Sequence, residues 1–131
     1  MDIIGRKVRV NLPELGGFNL PAKVDTGAFR TAIHCEWAEI KIIENKETLC
    51  VQLNWGEGPI PLEFSSFQKR IIKNSFGQAE ERFCVKTLIV IGGKRIRSDI
   101  SFSSRKGMKY PILVGRKTIG KKFLIDVSKG F

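Results

Sequence analysis

The segment AKVDTGAFRTAIH, residues 22–34, sets a lone aspartate between a strand-like apolar stretch and a Thr-Gly pair. A carboxylate so placed can activate water for amide hydrolysis if a second carboxyl shares its proton. Like charges about 3 Å apart cannot both ionise, so one carboxyl stays protonated as the acid while the other acts as the base. Thr26 offers a hydroxyl to lock the loop, and Gly27, without a Cβ, lets backbone and substrate approach closely. An ordinary turn aspartate at a strand end is the competing reading of Asp25, and the tripeptide alone does not decide between them.

The other reactive side chains form no comparable pattern. His34, Cys35, Cys50 and Cys84 contain neither C-x-x-C nor H-E-x-x-H. Adjacent His34 and Cys35 in a strand point to opposite faces, so no metal is expected. There is no Gly-rich phosphate loop of the Walker type, and no cofactor is expected. Three cysteines, an odd number without a close pair, read as buried thiols. Asp126, inside the apolar LIDV, reads as a hydrogen-bonding residue because no Thr-Gly follows it.

The elements that must position these residues are strands. RKVRVNL alternates polar and apolar from Arg6 to Leu12, the period of a half-buried strand. WAEIKII and TLCVQLN flank a polar ENKE turn. CVKTLIVI and KRIRSDISF flank Gly92-Gly93, a strong hairpin signal because both glycines tolerate positive φ. PILVG and FLIDV are nearly continuous apolar runs and read as central strands. Only 115–122, GRKTIGKK, suits a helix, and Gly120 limits it to a turn or two. Between Gln68 and Lys86, two polar strand-like arms flank Asn74-Ser75-Phe76-Gly77, a turn cluster. A hairpin with so little to bury projects from the body and would suit a lid. Residues 1–131 are expected to form one all-β domain, a sandwich or barrel.

Composition narrows the setting. At 42% hydrophobic and 27% charged residues the chain is that of a globular protein. No apolar run approaches the roughly eighteen residues of a membrane helix, and MDIIGRKVRV does not read as a signal peptide. A cytoplasmic protein without membrane contact is expected. The formal net charge of +10 is uneven: residues 1–65 carry 7 basic and 9 acidic residues, whereas residues 66–131 carry 16 and 4. Such a basic half fits an acidic partner, whether nucleic acid or acidic peptide, or a solubilising face.

Three ordered stretches, VDTGA at 24–28, IIKNSFGQAEER at 71–82 and ILVGRKTIGKKFLIDV at 112–127, resemble the active-site loop, flap and late Gly-helix segment of retropepsin-type aspartic proteases. More narrowly, LPEL, AKVDTGA, KNSFGQAEER, MKYPILVGRKTI and FLIDVSKGF are similar to landmarks of a bacterial and archaeal retropepsin-like family labelled ATP-dependent zinc proteases. The resemblance runs over nearly the whole chain. It implies a closed-barrel-like β fold with a flap hairpin and one short C-terminal helix. It also implies an aspartic endopeptidase whose active site forms in a homodimer, since one Asp-Thr-Gly supplies one carboxylate and a two-fold axis pairs a residue with itself. Asp25 would then be the acid/base, with Thr26 and Gly27 supporting it and Ala28 lining the substrate groove. Ser75, Phe76 and Gly77 would form the flap tip, and Gly115 and Arg116 would support the loop from beneath.

The chain also departs from that pattern. Retroviral relatives carry an aspartate after the motif that pairs with the arginine after the late glycine, whereas Phe29 stands here and leaves Arg116 without that partner. The resemblance further suggests an acidic, Glu-rich or ribosome-associated substrate, which a basic groove would concentrate. The alternative is a basic β-barrel that binds nucleic acid or acidic protein without cleaving it. Against nucleic acid, the nine Phe are scattered rather than interleaved with the basic residues as stacking platforms require.

Overall fold

Strand-period alternation is realised along most of the chain. The computed structural model describes residues 1–73, 76–104 and 109–131. Its strands are Asp2–Gly5 (β1), Lys7–Leu12 (β2), Gly17–Val24 (β3), Thr31–His34 (β4), Trp37–Ile43 (β5) and Lys46–Asn54 (β6), followed by Pro59–Phe64 (β7), Gln68–Lys73 (β8), Ala79–Ile91 (β9), Lys94–Ser103 (β10), Ile112–Val114 (β11) and Phe123–Asp126 (β12). One helical turn, Arg116–Ile119 (α1), precedes β12, and a 3-10 turn, Pro13–Leu15, joins β2 to β3. The helix ends where Gly120 donates its N–H to the Arg116 carbonyl at 2.8 Å.

Six strands close on themselves in the order β10-β4-β11-β3-β2-β9, with β9 pairing back to β10. The pairs β10–β4 and β11–β3 are parallel, and the rest of the ring is antiparallel. This nearly all-β closed barrel is the expected fold class, and closure removes the exposed edges that an open sheet would present. The alternation in β2 explains how it fills: Val8, Val10 and Leu12 are buried while Arg9 faces solvent. The antiparallel sheet β5-β6-β7 adds Leu49, Val51 and Leu53, all inaccessible, to the same apolar cluster. Each such side chain contributes roughly 1.5–3 kcal/mol by burial.

Turn chemistry sets the hairpins. Gly92 and Gly93 have φ of 56° and 78° between β9 and β10, the conformation anticipated for that pair. The β5–β6 hairpin makes its turn with Glu44 and Asn45, also at positive φ. In β9, residues from Cys84 onward pair with β10, whereas residues 79–83 pair only with β8. The arms of the β8–β9 hairpin therefore extend past the β9–β10 ladder, with Phe83 packed against the core and Arg70 reaching Asp99 at 3.6 Å.

One expectation fails. β11 is central, lying between β3 and β4, but β12 pairs only with β1, in a separate two-stranded parallel sheet. Phe123 packs into the core while Leu124 is 54% exposed, as is Ile3 opposite it at 58%. A short apolar run is compatible with burial on both faces, but here alternate residues meet the core and solvent. Among the described residues, no helix is long and apolar enough to cross a membrane.

Candidate active site

Asp25 is the first residue beyond β3, and hydrogen bonds fix the backbone on both sides of it. Val24 donates its N–H to Arg6 O at 2.8 Å, and Asp25 donates its own to Val114 O at 2.9 Å, so β3 and β11 deliver the loop together. The loop then folds upon the aspartate. Gly27 N–H donates to Asp25 Oδ1 at 3.0 Å, and Ala28 N–H donates to the Asp25 carbonyl at 3.2 Å. A Cβ on Gly27 would lie 3.3 Å from that carboxylate oxygen, so glycine lets the turn sit this tightly. Asp25 is half-buried, and among the described residues no cationic group lies within salt-bridge distance of it.

Thr26 is tied to the late segment through its backbone. The residue is exposed, and its carbonyl is what is held, accepting Arg116 Nη1 at 2.8 Å. Helix α1 seals the rest of the loop from below. Arg116 and Lys117 donate their N–H groups to Ala28 O and Phe29 O at 2.9 and 2.8 Å, satisfying donors that a helix start leaves unpaired. Gly115 makes this approach feasible, since a Cβ there would come within 2.5 Å of the Arg30 carbonyl. Arg116, lacking the acid expected at position 29, lies instead with its guanidinium 5.8 Å from the Phe29 ring centroid.

The loop opens onto a cleft of about 600 Å³. Asp25, Gly27, Ala28 and Arg116 form one side, Ala32, Ser101 and Leu113 line it on the outer face of the barrel, and Ile71, Ile72, Lys73 and Arg82 line it from the β8–β9 hairpin. Among the described residues, four cationic side chains, Arg30 included, line this cleft against the single carboxylate of Asp25. Phe76 and Gly77, at the hairpin's end, are exposed, and Gly77 has φ of 77°. Ser75 lies outside the described residues. The structure thus brings Asp25, Gly27, Ala28 and Arg116 together around the cleft, with Thr26 and Gly115 packed into the same loop, and leaves Phe76 and Gly77 at the far end of the hairpin.

Two groups of residues were missed. Thr31, Ser98 and Thr118 are buried and share a hydroxyl network under the loop, where Thr118 bonds both Thr31 and Ser98, and Thr31 Oγ1 accepts Gly115 N–H at 3.1 Å. Their only sequence signal is a hydroxyl at a core-facing position. The second group is Asp99, whose side chain is 6% exposed and bonded to Arg30 at 3.0 Å and Lys117 at 3.3 Å. Burial pushes its carboxyl up, but the hydrogen bonds from Arg30 and Lys117, with the charges of Lys117 and Arg70, outweigh it and hold the group below its ordinary value. Being one of only four acids in the basic half was the available clue.

The remaining candidates are structural in their geometry. Cys35, Cys50 and Cys84 are free and buried, and burial pushes the Cys35 thiol up to about 11. Burial, and next the charge of Asp99, raise Cys84. Asp126 Oδ1 accepts the backbone and hydroxyl donors of Ser128. No group of three or more His, Cys, Asp or Glu suited to a metal occurs among the described residues.

Comparison with known proteins places this geometry in context. A family model described as "RimB-like: Retropepsin-like aspartic endopeptidase RimB" matches residues 3–131. A "Probable alpha-L-glutamate ligase" of Shewanella pealeana is 27% identical over 142 residues, covering 98% of this chain and 29% of that protein. One of the same name from Desulfotalea psychrophila is 28% identical, covering 95% and 28%. The chain therefore spans less than a third of the length of these curated relatives. Among solved structures, Lpg0085 of Legionella pneumophila, a protein of unknown function, superposes with a TM-score of 0.78 at 23% identity, covering 99% of this chain and 96% of that one.

Proposed function

The chain belongs to the RimB-like family of retropepsin-like aspartic endopeptidases, and from that premise we propose that it is an aspartic endopeptidase whose active site is completed in a homodimer. The observation that carries this reading is Asp25 itself: a half-buried carboxylate on a hydrogen-bonded loop, facing a cleft of peptide dimensions and, among the described residues, unpaired with any cation. In the proposed dimer, Asp25 of each subunit meets its copy at the two-fold axis. One carboxylate takes a proton from water as the water attacks the scissile carbonyl, and the other, protonated, donates to the developing oxyanion. The proton then passes to the leaving amine as the bond breaks. Thr26 and Gly27 hold the loop, Ala28 lines the groove, and Gly115 and Arg116 support it from below. The β8–β9 hairpin acts as the flap, with Ser75, Phe76 and Gly77 at its tip.

Exposed Ile3 and Leu124 supply apolar area for a subunit contact. They lie on strands that lead to the same end as Asp25, for β1 runs into Arg6, whose carbonyl accepts Val24 N–H. As substrate we propose an acidic, Glu-rich peptide or protein. Arg30, Lys73, Arg82 and Arg116 line the cleft and would raise the local concentration of such a chain, and the curated relatives are named probable alpha-L-glutamate ligases.

The test pairs light scattering of the wild type with cleavage of a Glu-rich peptide library by wild type and Asp25→Asn. A dimer whose cleavage disappears in the variant supports the two-subunit dyad. A monomer without Asp25-dependent cleavage overturns it in favour of a basic binding module on this barrel.

A further inference from the structure

Three cations from three elements converge on one oxygen. Asp99 Oδ2 lies 3.0 Å from Arg30 Nε, beyond the Asp25 loop, 3.3 Å from Lys117 Nζ on α1, and 3.6 Å from Arg70 Nη2 on β8. Three cations against one carboxylate leave a formal charge of +2 among these four side chains, more than is needed to neutralise a buried acid. What the cluster does supply is a junction. Arg30 follows the two residues whose carbonyls receive the α1 amides, and Lys117 is one of the donors, so two of the three contacts reinforce the seat of the Asp25 loop.

The third contact belongs to the hairpin. Arg70 stands directly opposite Arg82 in the β8–β9 register, and like charges facing across a strand pair oppose the pairing. Arg82 has Glu80 at 3.0 Å on its own strand. The carboxylate that screens Arg70 sits on β10, in the barrel wall. If the β8 arm lifts, Arg70 leaves Asp99 and faces Arg82 without that screening. The hairpin's own pairing is therefore strongest when it is seated.

We propose that Asp99 is a positioning residue that ties the β8–β9 hairpin to the loop carrying Asp25, so that one carboxylate holds both sides of the cleft in a single arrangement. It acts through Arg70 on one side and through Arg30 and Lys117 on the other. The inference rests on the reading of this cleft as the peptide site, so the test uses two readouts, one independent of cleavage.

The full chain is compared with Asp99→Asn, Arg70→Gln and the double variant by amide hydrogen exchange and by peptide cleavage. In each single variant, exchange should quicken together in the arms, residues 68–73 and 79–83, and at the hydrogen-bonded amides of Asp25, Ala28, Arg116 and Lys117. The β5-β6-β7 sheet should keep its wild-type rates. In cleavage, the fall in kcat/KM should include kcat, because the misplaced group is the reacting loop. The two substitutions should be non-additive by at least about threefold.

Quickened arms with an unchanged loop, uniform quickening of the whole chain, or additive effects would each overturn the proposal. Should Asp99→Asn fail to fold, Arg70→Gln alone decides, since Arg70 is partly exposed and its effect must still reach the Asp25 loop. A wild type that cleaves no peptide sinks the proposed function and leaves the exchange result to decide this one.

Discussion

Asp25 and Asp99 are joined by a short path through Phe29 and Arg30, yet their surroundings are opposite. Asp25 is half-buried, accepts one backbone N–H from Gly27 and faces an open cleft. Asp99 is buried, and three cationic side chains surround one of its oxygens. A carboxylate held by several cations is locked in its charged form and is poor at exchanging protons. The same side chain is thus enclosed by cations in one place and left open to the cleft in the other. The charge of the basic half is divided in the same way. Part of it is consumed around Asp99, and part, on Lys73, Arg82 and Arg116, lines the cleft.

Exchanging each acid for a neutral residue tests the contrast most directly. Asp25→Asn keeps the Oδ1 acceptor for Gly27 N–H and sits in a half-exposed place, so the fold should survive with a change within about 0.5 kcal/mol. Peptide cleavage should fall by about 10³-fold or more, the scale of losing positioned acid–base catalysis. Unchanged cleavage would remove Asp25 from the chemistry. Asp99→Ala should do the reverse, lowering stability by about 3 kcal/mol in urea unfolding because it leaves cations around an empty centre. The sign with pH follows from the carboxyl being held below its ordinary 3.8. Its contribution is complete above that value and is lost as pH falls through the lower, folded-state value. The gap between wild type and Asp99→Ala should therefore narrow below about pH 3.8. A gap that stays constant into acid would assign the loss to packing instead.

Much of this arrangement was legible in the sequence wherever the signal is local. Alternation from Arg6 to Leu12 identified a strand, Gly92-Gly93 identified a turn, and the polar arms around Phe76-Gly77 identified a projecting hairpin. Asp25 stood out because its neighbours, Thr26 and Gly27, carry the pattern with it. What escaped depends on contacts far along the chain. Asp99 meets Arg30 across 69 positions, and Thr31 meets Thr118 across 87, so neither pairing leaves a mark in its own segment. FLIDV was misjudged for a related reason: an apolar run states that burial is available, while its pairing with β1 alone determined which residues receive it.

The loop between the two acids allows finer tests. Gly115→Ala would set a Cβ within 2.5 Å of the Arg30 carbonyl, a backbone group that cannot rotate away. Overpacking of this kind should cost about 2 kcal/mol. Since the same contact seats the Asp25 loop, cleavage should fall along with the thermal midpoint. A variant with lowered stability and full activity would separate the floor of the loop from the chemistry above it.

Phe29→Asp is the gentlest probe and addresses the residue that directly follows the Asp-Thr-Gly-Ala segment. Phe29 is 49% exposed and lies within cation–π range of Arg30, Arg116 and Lys117. At exposed sites such contacts contribute about 0.5–1 kcal/mol each, and an exposed ion pair formed in exchange returns about 0–1 kcal/mol. Three such contacts together outweigh what one pair returns, so unfolding should shift by about 1–2 kcal/mol. The sharper consequence concerns the pair of acids. A carboxylate at position 29 would compete with Asp99 for Arg30 and with the Thr26 carbonyl for Arg116, drawing both cations toward the loop. Cleavage should then fall severalfold while the fold persists. A destabilisation well beyond about 3 kcal/mol would mean that the Phe29 ring is a structural cover over the cations and contributes more than its cation–π contacts.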